Sequence, residues 1–482
     1  MSDQPATTAP GGTPAVLVPP QRLEADAIGV AQDTVIGMAS SAPAAVMALI
    51  LASLALTTNY GSAPSLLVTA IPMLIIAFAY HRLNMWNANC GASFEWVGRA
   101  INPYLGWYTG WLMIAGYVLG TISVIEVLGP SVLAIFGGSA TSVSGNVAIA
   151  IGIGVVMVII AVVGIRITAR IQIAMAAVEY TILIGMSIWG LITVLGHHAG
   201  TYPVSKGWFS LSGIAGKGDI VGGFLIAVFA FSGWDGTVYV NEEVTHRRKN
   251  PGRAAIIAVV LLTVIYVIAQ FGLQGVVSPA KLNANSSDAL VYVAQVLGGG
   301  GWEKVMALAL ALSAIASTNA GILLGARIVY GMASYRAVPE FLANVPRRFA
   351  TPAAATIVFG VITVGITVVY LVVTSVQNAF SDVVDVSGLL FALFYILTAL
   401  ASMVYYRHRV FSSVWNSIVL GILPLAAAVF LGWMVVKSVV EAPSSQRWSF
   451  IGILIAGVVL MVAARVFLKS PFFNIRRESA TD

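Results

Sequence analysis

Three carboxylic acids lie inside stretches of the chain that are otherwise mostly apolar. Glu126, Glu179 and Asp235 have Ala, Ile, Val, Leu, Phe, Gly and Trp as most of their sequence neighbours. A charged side chain in the middle of a bilayer costs about 2.5 kcal/mol or more, so the few that are kept usually face the interior of a helix bundle and take part in function. We therefore treat these three acids as candidates for proton coupling or gating.

Glu179 has the surroundings expected of a proton carrier. It follows Ile171-Gln-Ile-Ala-Met-Ala-Ala-Val and lies about three turns into a predicted helix. Burial in a medium of low dielectric favours the neutral form of a carboxyl group, so a proton could bind and leave within the working pH range. Two other roles stay open for Glu179: a counter-charge for a cationic substrate, and a structural carboxylate held by hydrogen bonds.

The remaining acids each fit more than one role. Asp235 is a candidate for gating or proton sensing, or for structural hydrogen bonding. Glu126 precedes Pro130 near the outer end of its span, which favours a solvated or vestibule position. The pair Glu242 and Glu243, which basic residues follow, is either an ion network at an inner gate or a solvated charge cluster.

Two of the apolar stretches contain residues that interrupt a helix. One reads Gly37-Met-Ala-Ser-Ser-Ala-Pro43, and the other reads Phe229-Ala-Phe-Ser-Gly-Trp-Asp235. Proline cannot donate an amide hydrogen bond and clashes with the preceding turn, and non-helical backbone survives at membrane depth only beside a cavity or inside protein. A single break is often only a kink or a packing site. Interrupted helices at corresponding positions of two halves, however, are typical of transporter sites built on inverted repeats.

The two interruptions together could hold both charged groups of an α-amino acid. A half-helix that starts near Ala42 or Pro43 would offer unpaired amides and the positive end of its dipole to a carboxylate. A half-helix that ends near Phe231 would offer free carbonyls to an ammonium group. The candidate substrate-binding residues are Ala39, Ser40, Ser41, Ala42, Pro43, Phe229, Ala230, Phe231, Ser232 and Gly233.

The composition of the whole chain is that of a membrane protein. Only 9% of its 482 residues are charged and 59% are hydrophobic, and its mean hydropathy is +0.91. A soluble domain is roughly a quarter charged, and a spanning helix needs about 20 mostly apolar residues. The pattern predicts an all-α polytopic protein with spans near 33–56, 63–80, 104–136, 145–164, 170–196, 219–243, 254–277, 302–332, 353–375, 384–405, 413–437 and 449–468, of which the first and sixth are broken at mid-membrane.

The distribution of basic residues predicts the orientation. With both termini on one side, only six of the 25 Lys and Arg residues fall in loops on the opposite side: Lys206, Lys217, Lys281, Lys304, Lys437 and Arg447. Basic loops resist translocation, so the richer side is cytoplasmic. We expect a multi-pass protein of the cytoplasmic membrane, with a disordered cytoplasmic tail over residues 1–22, a transmembrane domain over 23–468 and a cytoplasmic tail over 469–482.

Three ordered motifs resemble the amino acid–polyamine–organocation superfamily of permeases, over roughly residues 25–410. The most specific runs from Phe229 to Arg253 and contains Phe-Ser-Gly-Trp-Asp and Asn-Glu-Glu-Val. A second begins at Gly91-Ala-Ser-Phe-Glu and continues to Gly110-Trp111. The third is Ala326-Arg-Ile-Val-Tyr-Gly-Met-Ala with the prolines that follow it.

This resemblance implies the leucine-transporter-like fold. It would consist of two inverted five-helix repeats, over about 25–197 and 219–406, followed by two peripheral helices over about 413–468. Phe229 falls where relatives carry an aromatic that caps the substrate, with a plain core role as the alternative. Glu179 falls where some relatives carry a proton-exchanging lysine. The first span departs from its relatives because Met-Ala-Ser-Ser-Ala-Pro replaces their glycine-rich turn.

The function expected from these features is a secondary active permease that takes up a neutral amino acid with a proton by alternating access. A cationic amino acid or polyamine transporter or exchanger is the alternative, and a transporter-like nutrient sensor is the alternative of another class. The chain has neither a His-Glu-x-x-His nor a Gly-x-Ser-x-Gly motif, so no enzyme is expected. We expect no cofactor and no nucleic acid, and the partners are the amino acid or polyamine, H⁺ and the lipid bilayer.

Sodium is the alternative coupling ion. Four polar residues of the eighth predicted span could bind it together with carbonyls of the first span: Ser313, Ser317, Thr318 and Asn319. Small polar residues in membrane helices more often serve helix packing, so no metal site is expected.

Overall fold

The chain forms twelve long helices, numbered α1 to α12, in a computed structural model that describes residues 23–211, 218–286, 288–373 and 376–480. Each is long and apolar enough to cross a membrane. The first and sixth are each divided: α1a Val30–Ser40 and α1b Pro43–Thr57, α6a Ile220–Ala230 and α6b Trp234–Glu243. The others are α2 Ser62–Trp86, α3 Pro103–Ile135, α4 Val143–Val163, α5 Ile165–Leu195, α7 Asn250–Leu273, α8 Gly300–Ser334, α9 Ala353–Val373, α10 Val376–Tyr405, α11 Val414–Glu441 and α12 Ser444–Val466.

This architecture confirms the predicted all-α class, the number of spans and the two breaks. Several helices extend beyond the apolar stretches that predict them. For example, α2 continues past residue 80 to Trp86, because an apolar window stops at His81 and Arg82 although the backbone stays helical. The N-terminal tail expected over residues 1–22 lies outside the described residues.

Short helical segments connect the spans: Ser93–Ala100, Lys206–Phe209, Pro279–Ala284, Ala289–Gly298, Glu340–Ala343 and Arg407–Val410. A further short segment, Pro471–Asn474, follows α12. Within the described ranges no β-strand forms, and the nearest approach to one is a single parallel bridge between Ile28 and Val244. That bridge joins the start of α1a to the end of α6b.

Burial separates a central group of helices from a peripheral one. In α8 and α1, 83% and 78% of the most apolar window is buried inside the protein, whereas the figure for α12 is 17%. A close contact between α3 and α8 shows how small residues allow this packing, because a Cβ on Gly321 would clash with Thr121 Oγ1. The broken helices therefore lie at the centre, where irregular backbone is shielded from lipid.

The C-terminal residues pack against the helix bundle. Phe472 is fully buried and stacks on Phe94 with ring centroids 4.0 Å apart. Glu478 forms an ion pair of 2.6 Å with Arg99, and its amide donates to the Arg99 carbonyl at 2.8 Å. The segment after α12 thus covers the helix Ser93–Ala100 between α2 and α3.

Candidate functional site

The interruption of α1 is a tight turn between two half-helices. The Ser41 amide donates to the Met38 carbonyl at 3.1 Å, and the Ala42 amide donates to Ala39 at 3.0 Å, which ends α1a. Ala42 has a φ of +46°, a left-handed conformation that costs an L-residue about 1–2 kcal/mol. Pro43 then starts α1b, where its missing amide hydrogen does no harm.

The interruption of α6 is built around Gly233. The Phe229 carbonyl accepts hydrogen bonds from the Ser232 amide at 3.0 Å and from the Ser232 hydroxyl at 2.8 Å. Gly233 has a φ of +97°, and a Cβ at this position would lie 2.9 Å from the Ser40 carbonyl oxygen. The two breaks therefore contact each other, and glycine is required by both the backbone angle and the space.

A cavity opens at this contact between the breaks. Its lining comes from five helices: Ser40, Ser41, Ala42, Val46 and Leu49 of α1, Tyr117, Gly120, Thr121, Ser123 and Val124 of α3, Phe229, Ser232 and Gly233 of α6, Ser317 and Gly321 of α8, and Ser387 and Phe391 of α10. Among these described residues none is charged. The cavity thus combines hydroxyl groups and aromatic faces with the ends of half-helices.

The candidate substrate-binding residues divide into two groups. Six of the ten line the cavity: Ser40, Ser41, Ala42, Phe229, Ser232 and Gly233. The other four, Ala39, Pro43, Ala230 and Phe231, are buried behind it. The lining residues of α3, α8 and α10 are not among the candidates, because the sequence has no break or buried charge to mark them. Only the spacing of Tyr117, Thr121 and Val124, which places them on one helix face, could have indicated the α3 contribution.

The first amides of α1b are hydrogen-bonded to side chains of other helices. The Ala44 amide donates to Glu179 Oε1 of α5 at 2.9 Å, and the Ala45 amide donates to Ser313 Oγ of α8 at 3.2 Å. The expectation of unpaired amides at this point is therefore wrong for this conformation. The physical reason is that a helix start which is fully buried must satisfy its orphan donors.

Asp235 lies at the start of α6b in a group of phenols. The hydroxyls of Tyr239 and Tyr395 donate to its two carboxylate oxygens, the second at 2.6 Å. Tyr395 also accepts the Gly233 amide at 3.3 Å, so the break of α6 and the carboxylate share one phenol. This geometry realises the structural role considered for Asp235, and it also links the acid to the cavity.

Glu126 is placed differently from the expectation for it, and Glu243 agrees with only one of the two alternatives considered for it. Glu126 is 7% exposed, and neither of its carboxyl oxygens has a hydrogen-bond partner among the described residues, so it is buried rather than solvated. Glu243 is 0% exposed and pairs with Arg327 through two hydrogen bonds of 2.8 and 2.9 Å. The alternative of a solvated charge cluster is therefore wrong for Glu243. Its ion pair with Arg327 connects the end of α6b to α8.

The candidate sodium ligands do not converge. Ser313 accepts the Ala45 amide, and Ser317 donates to the Ser40 carbonyl at 3.2 Å. Thr318 bonds within its own helix. Asn319 contacts α4 and α5 through the Met157 carbonyl and the Gln172 amide. Only the first two of the four face the break of α1, where both serve helix contacts.

Comparison with known proteins gives a family and a fold. A family model described as amino acid permease matches residues 32–463. The chain is 33% identical to the Asc-type amino acid transporter 1 of Mus musculus over 135 residues, which are 28% of this chain and 25% of that protein. It is 20% identical to the vacuolar cationic amino acid transporter 4 of Arabidopsis thaliana over 320 residues, 63% of this chain and 52% of that protein. These matches span a quarter to a half of the relatives' length.

Two solved structures share the fold. A mutant of the manganese transporter of Eremococcus coleocola has a TM-score of 0.59 at 13% identity and covers 90% of this chain and 95% of its own. The structure of MhsT in complex with L-phenylalanine has a TM-score of 0.54 at 16% identity and covers 83% of this chain and 98% of its own. At such low identity these likenesses concern the fold alone, and they confirm the leucine-transporter-like class.

Proposed function

Because the chain belongs to the amino acid permease family, we propose that it is a secondary active transporter that takes up a neutral amino acid together with a proton. The family and its relatives are transporters and not enzymes. The observation that carries the proposal is the cavity without a charged side chain at the contact between two broken helices.

The neutral substrate class follows from the charges around the cavity. A zwitterion needs one positive and one negative partner, and the facing ends of α1b and α6a supply both as helix dipoles. A cationic amino acid or a polyamine would add a cation that finds no carboxylate in the described lining. The buried acids Glu179 and Asp235 lie behind that lining and are already hydrogen-bonded.

Glu179 is the proposed coupling group. In its ionised form it bonds to the Ala44 amide and cancels the positive end of the α1b dipole, which a substrate carboxylate needs. Protonation removes that charge and weakens the bond, so the dipole becomes available to the substrate. Proton and substrate then promote each other's binding, and this reciprocal linkage is the thermodynamic basis of symport.

Alternating access is proposed to use the inner half-helices. Conformational change in this class of fold is largely rigid-body rocking or gating around a fixed site. Here α1a and α6b contact each other and are joined at the ends far from the breaks by the Ile28–Val244 bridge. Both termini are proposed to be cytoplasmic, which the even number of candidate spans and the excess of basic residues on one side support.

Uptake by the purified protein in proteoliposomes tests the proposal. Liposomes with an alkaline interior should accumulate one or more radiolabelled neutral amino acids, and a proton ionophore should abolish the accumulation. Accumulation driven only by a sodium gradient would contradict proton coupling. Preference for arginine or putrescine would contradict the neutral class, and substrate binding without any uptake would indicate the sensor alternative.

A further inference from the structure

Asp33 is a further buried carboxyl group, in the first turn of α1a. Its side chain is 0% exposed, and neither carboxyl oxygen has a hydrogen-bond partner among the described residues. An ionised carboxylate inside a protein is costly unless it is paired or hydrogen-bonded. The dipole at the start of α1a favours an anion, but this effect offsets only a small part of such a cost.

The helices that surround α1a supply no counter-charge to Asp33. These helices are α5, α6b, α7 and α8. Their acidic and basic residues and their tyrosines are Arg166, Arg170, Glu179, Tyr180, Asp235, Tyr239, Glu242, Glu243, Arg253, Tyr266, Glu303, Lys304, Arg327 and Tyr330. No ion pair or hydrogen bond joins any of them to Asp33 within the described part of the chain.

The basic residues of this set are engaged elsewhere or face outward. Arg327 is taken by Glu243, and Arg166 pairs with Glu24 at 2.5 Å. Arg170 is exposed, as are Arg253 and Lys304. Burial without a counter-charge or a hydrogen-bond partner in the described part of the chain therefore favours the neutral form of Asp33 in this conformation.

Asp33 lies on the face of α1a that closes against α6b. Gly37, one turn later on the same face, packs so tightly on Thr237 that a Cβ would lie 2.6 Å from the Thr237 methyl carbon. The Thr237 hydroxyl is also buried and has no partner among the described residues. At the start of α1a, the amides of Ala27 and Ile28 donate to the Glu243 carbonyl at 2.8 and 3.2 Å.

We propose that Asp33 is a proton-binding site that controls the inner gate, which closes when Asp33 carries a proton and releases that proton to cytoplasmic water on opening. On opening, the carboxyl O–H bond breaks, water accepts the proton and the carboxylate becomes solvated; closing reverses these steps. The inference rests on the alternating access of the proposed function. It assigns to the inner half-helices a proton separate from the one at Glu179.

The single cysteine of the chain is a native reporter of this gate. Cys90 is fully buried, its amide donates to Glu242 of α6b at 3.1 Å, and a Cβ on Gly331 of α8 would contact the Cys90 backbone. Burial raises the pKa of the Cys90 thiol, so the closed state resists alkylation. Separation of α6b would expose the thiol and return it towards its ordinary reactivity.

Alkylation of Cys90 by N-ethylmaleimide in bilayer discs of phosphatidylethanolamine and phosphatidylglycerol tests the proposal. Rates are compared between wild type and Asp33→Asn from about pH 6 to about pH 8. Ionisation of the thiol affects both proteins equally, so the ratio of wild-type to variant rates isolates Asp33. One proton released on opening predicts that this ratio rises about tenfold for each pH unit.

Equal pH slopes in the two proteins would overturn the proposal. Asp26→Asn, an exposed acid near α1a, is the matched control and should keep the wild-type slope. If Asp33→Asn does not purify as folded protein, Asp33→Ser, which is also uncharged, replaces it with the same expectation. Labelling requires neither substrate nor a proton gradient, so a failure of proton-coupled uptake would be distinguishable from a failure of this inference.

Discussion

Glu179 bonds to a backbone amide rather than to a basic side chain. Its partner is Ala44 at the start of α1b, and Ser313 occupies the next amide. An ion pair with Arg or Lys would hold a carboxylate permanently ionised, whereas a neutral amide donor tolerates both protonation states. This partner supports the proposed cycle in which Glu179 binds and releases a proton.

The Glu179→Gln variant should lose the part of the pH dependence of substrate affinity that Glu179 contributes. Glutamine cannot ionise, so the α1b dipole stays available to the substrate carboxylate at every pH. Concentrative uptake driven by a pH gradient should be lost, while exchange of labelled for unlabelled substrate should persist. Uptake and counterflow in proteoliposomes measure the two activities.

Glu340→Gln is the matched control for this variant. Glu340 is exposed and forms an ion pair with Arg336 on the surface, so the same chemical change there should leave both activities intact. Gradient-driven accumulation that survives in Glu179→Gln would remove Glu179 from the coupling mechanism.

At the scale of secondary-structure elements, the half-helices α1a and α6b are held by contacts at both of their ends. At the breaks, α1 and α6 meet through Ser40 and Gly233. At the far end, Glu243 holds α6b to Arg327 and accepts the amides before α1a. The half-helices α1a and α6b are therefore held against each other at both ends, and the opening proposed for Asp33 requires these contacts to separate, as in a gate between rigid segments.

Gly233→Ala should disrupt the contact between the breaks. The added methyl group would lie 2.9 Å from the Ser40 carbonyl at a φ of +97°, and left-handed strain together with overpacking should cost roughly 2 kcal/mol or more. We expect a lower apparent Tm and loss of uptake. Gly185→Ala in α5, where a Cβ meets nothing within 4 Å, should change neither, and equal effects of the two variants would contradict the packing argument.

Removal of only one partner of the buried pair of Arg327 and Glu243 should destabilise the protein. Arg327→Met leaves an uncompensated carboxylate in a fully buried site, at an expected cost of about 3–5 kcal/mol. Arg327→Met combined with Glu243→Leu should recover most of that stability. Denaturation of the two proteins in detergent measures the difference, and a double variant no more stable than the single one would show that the charges are not the cause.

At the scale of the whole molecule, the C-terminal segment packs on the end of the helix bundle where the short helix Ser93–Ala100 lies. Phe472 inserts against Phe94 and contacts Gly98, where a Cβ would lie 2.5 Å from its ring. Glu478 pairs with Arg99 on the same short helix. The end of the chain thus covers the connection between α2 and α3, close to Tyr335 after α8, which also bonds to Arg99.

Phe472→Ala should lower the stability of the whole protein. Removal of a fully buried phenyl group typically costs about 3–5 kcal/mol, and the apparent Tm should fall accordingly. Phe467→Ala removes the same group from a position that is 81% exposed and should change stability by at most about 0.5 kcal/mol. Similar losses in the two variants would mean that the segment does not pack as described.

The twelve spans and the two interruptions could be predicted from the sequence because they depend on local properties. Apolar length decides whether a segment crosses the bilayer, and Pro43 and Gly233 disturb a helix wherever it lies. The same locality marked Glu179 and Asp235, since an ionisable residue stands out in an apolar stretch, whereas the burial of Asp33 and Glu126 was not predicted.

Only the tertiary structure decided which side chains bind the free backbone amides at the breaks. The amides of Ala44 and Ala45 are taken by side chains 135 and 268 positions away, and the lining from α3, α8 and α10 carries no local mark of its place. The tertiary structure also decided between the two alternatives for Glu243, which is a buried partner of Arg327 and not part of a solvated cluster. Hydrogen-bond and charge pairing in the bilayer depend on which helices pack together, and that arrangement is a property of the folded chain.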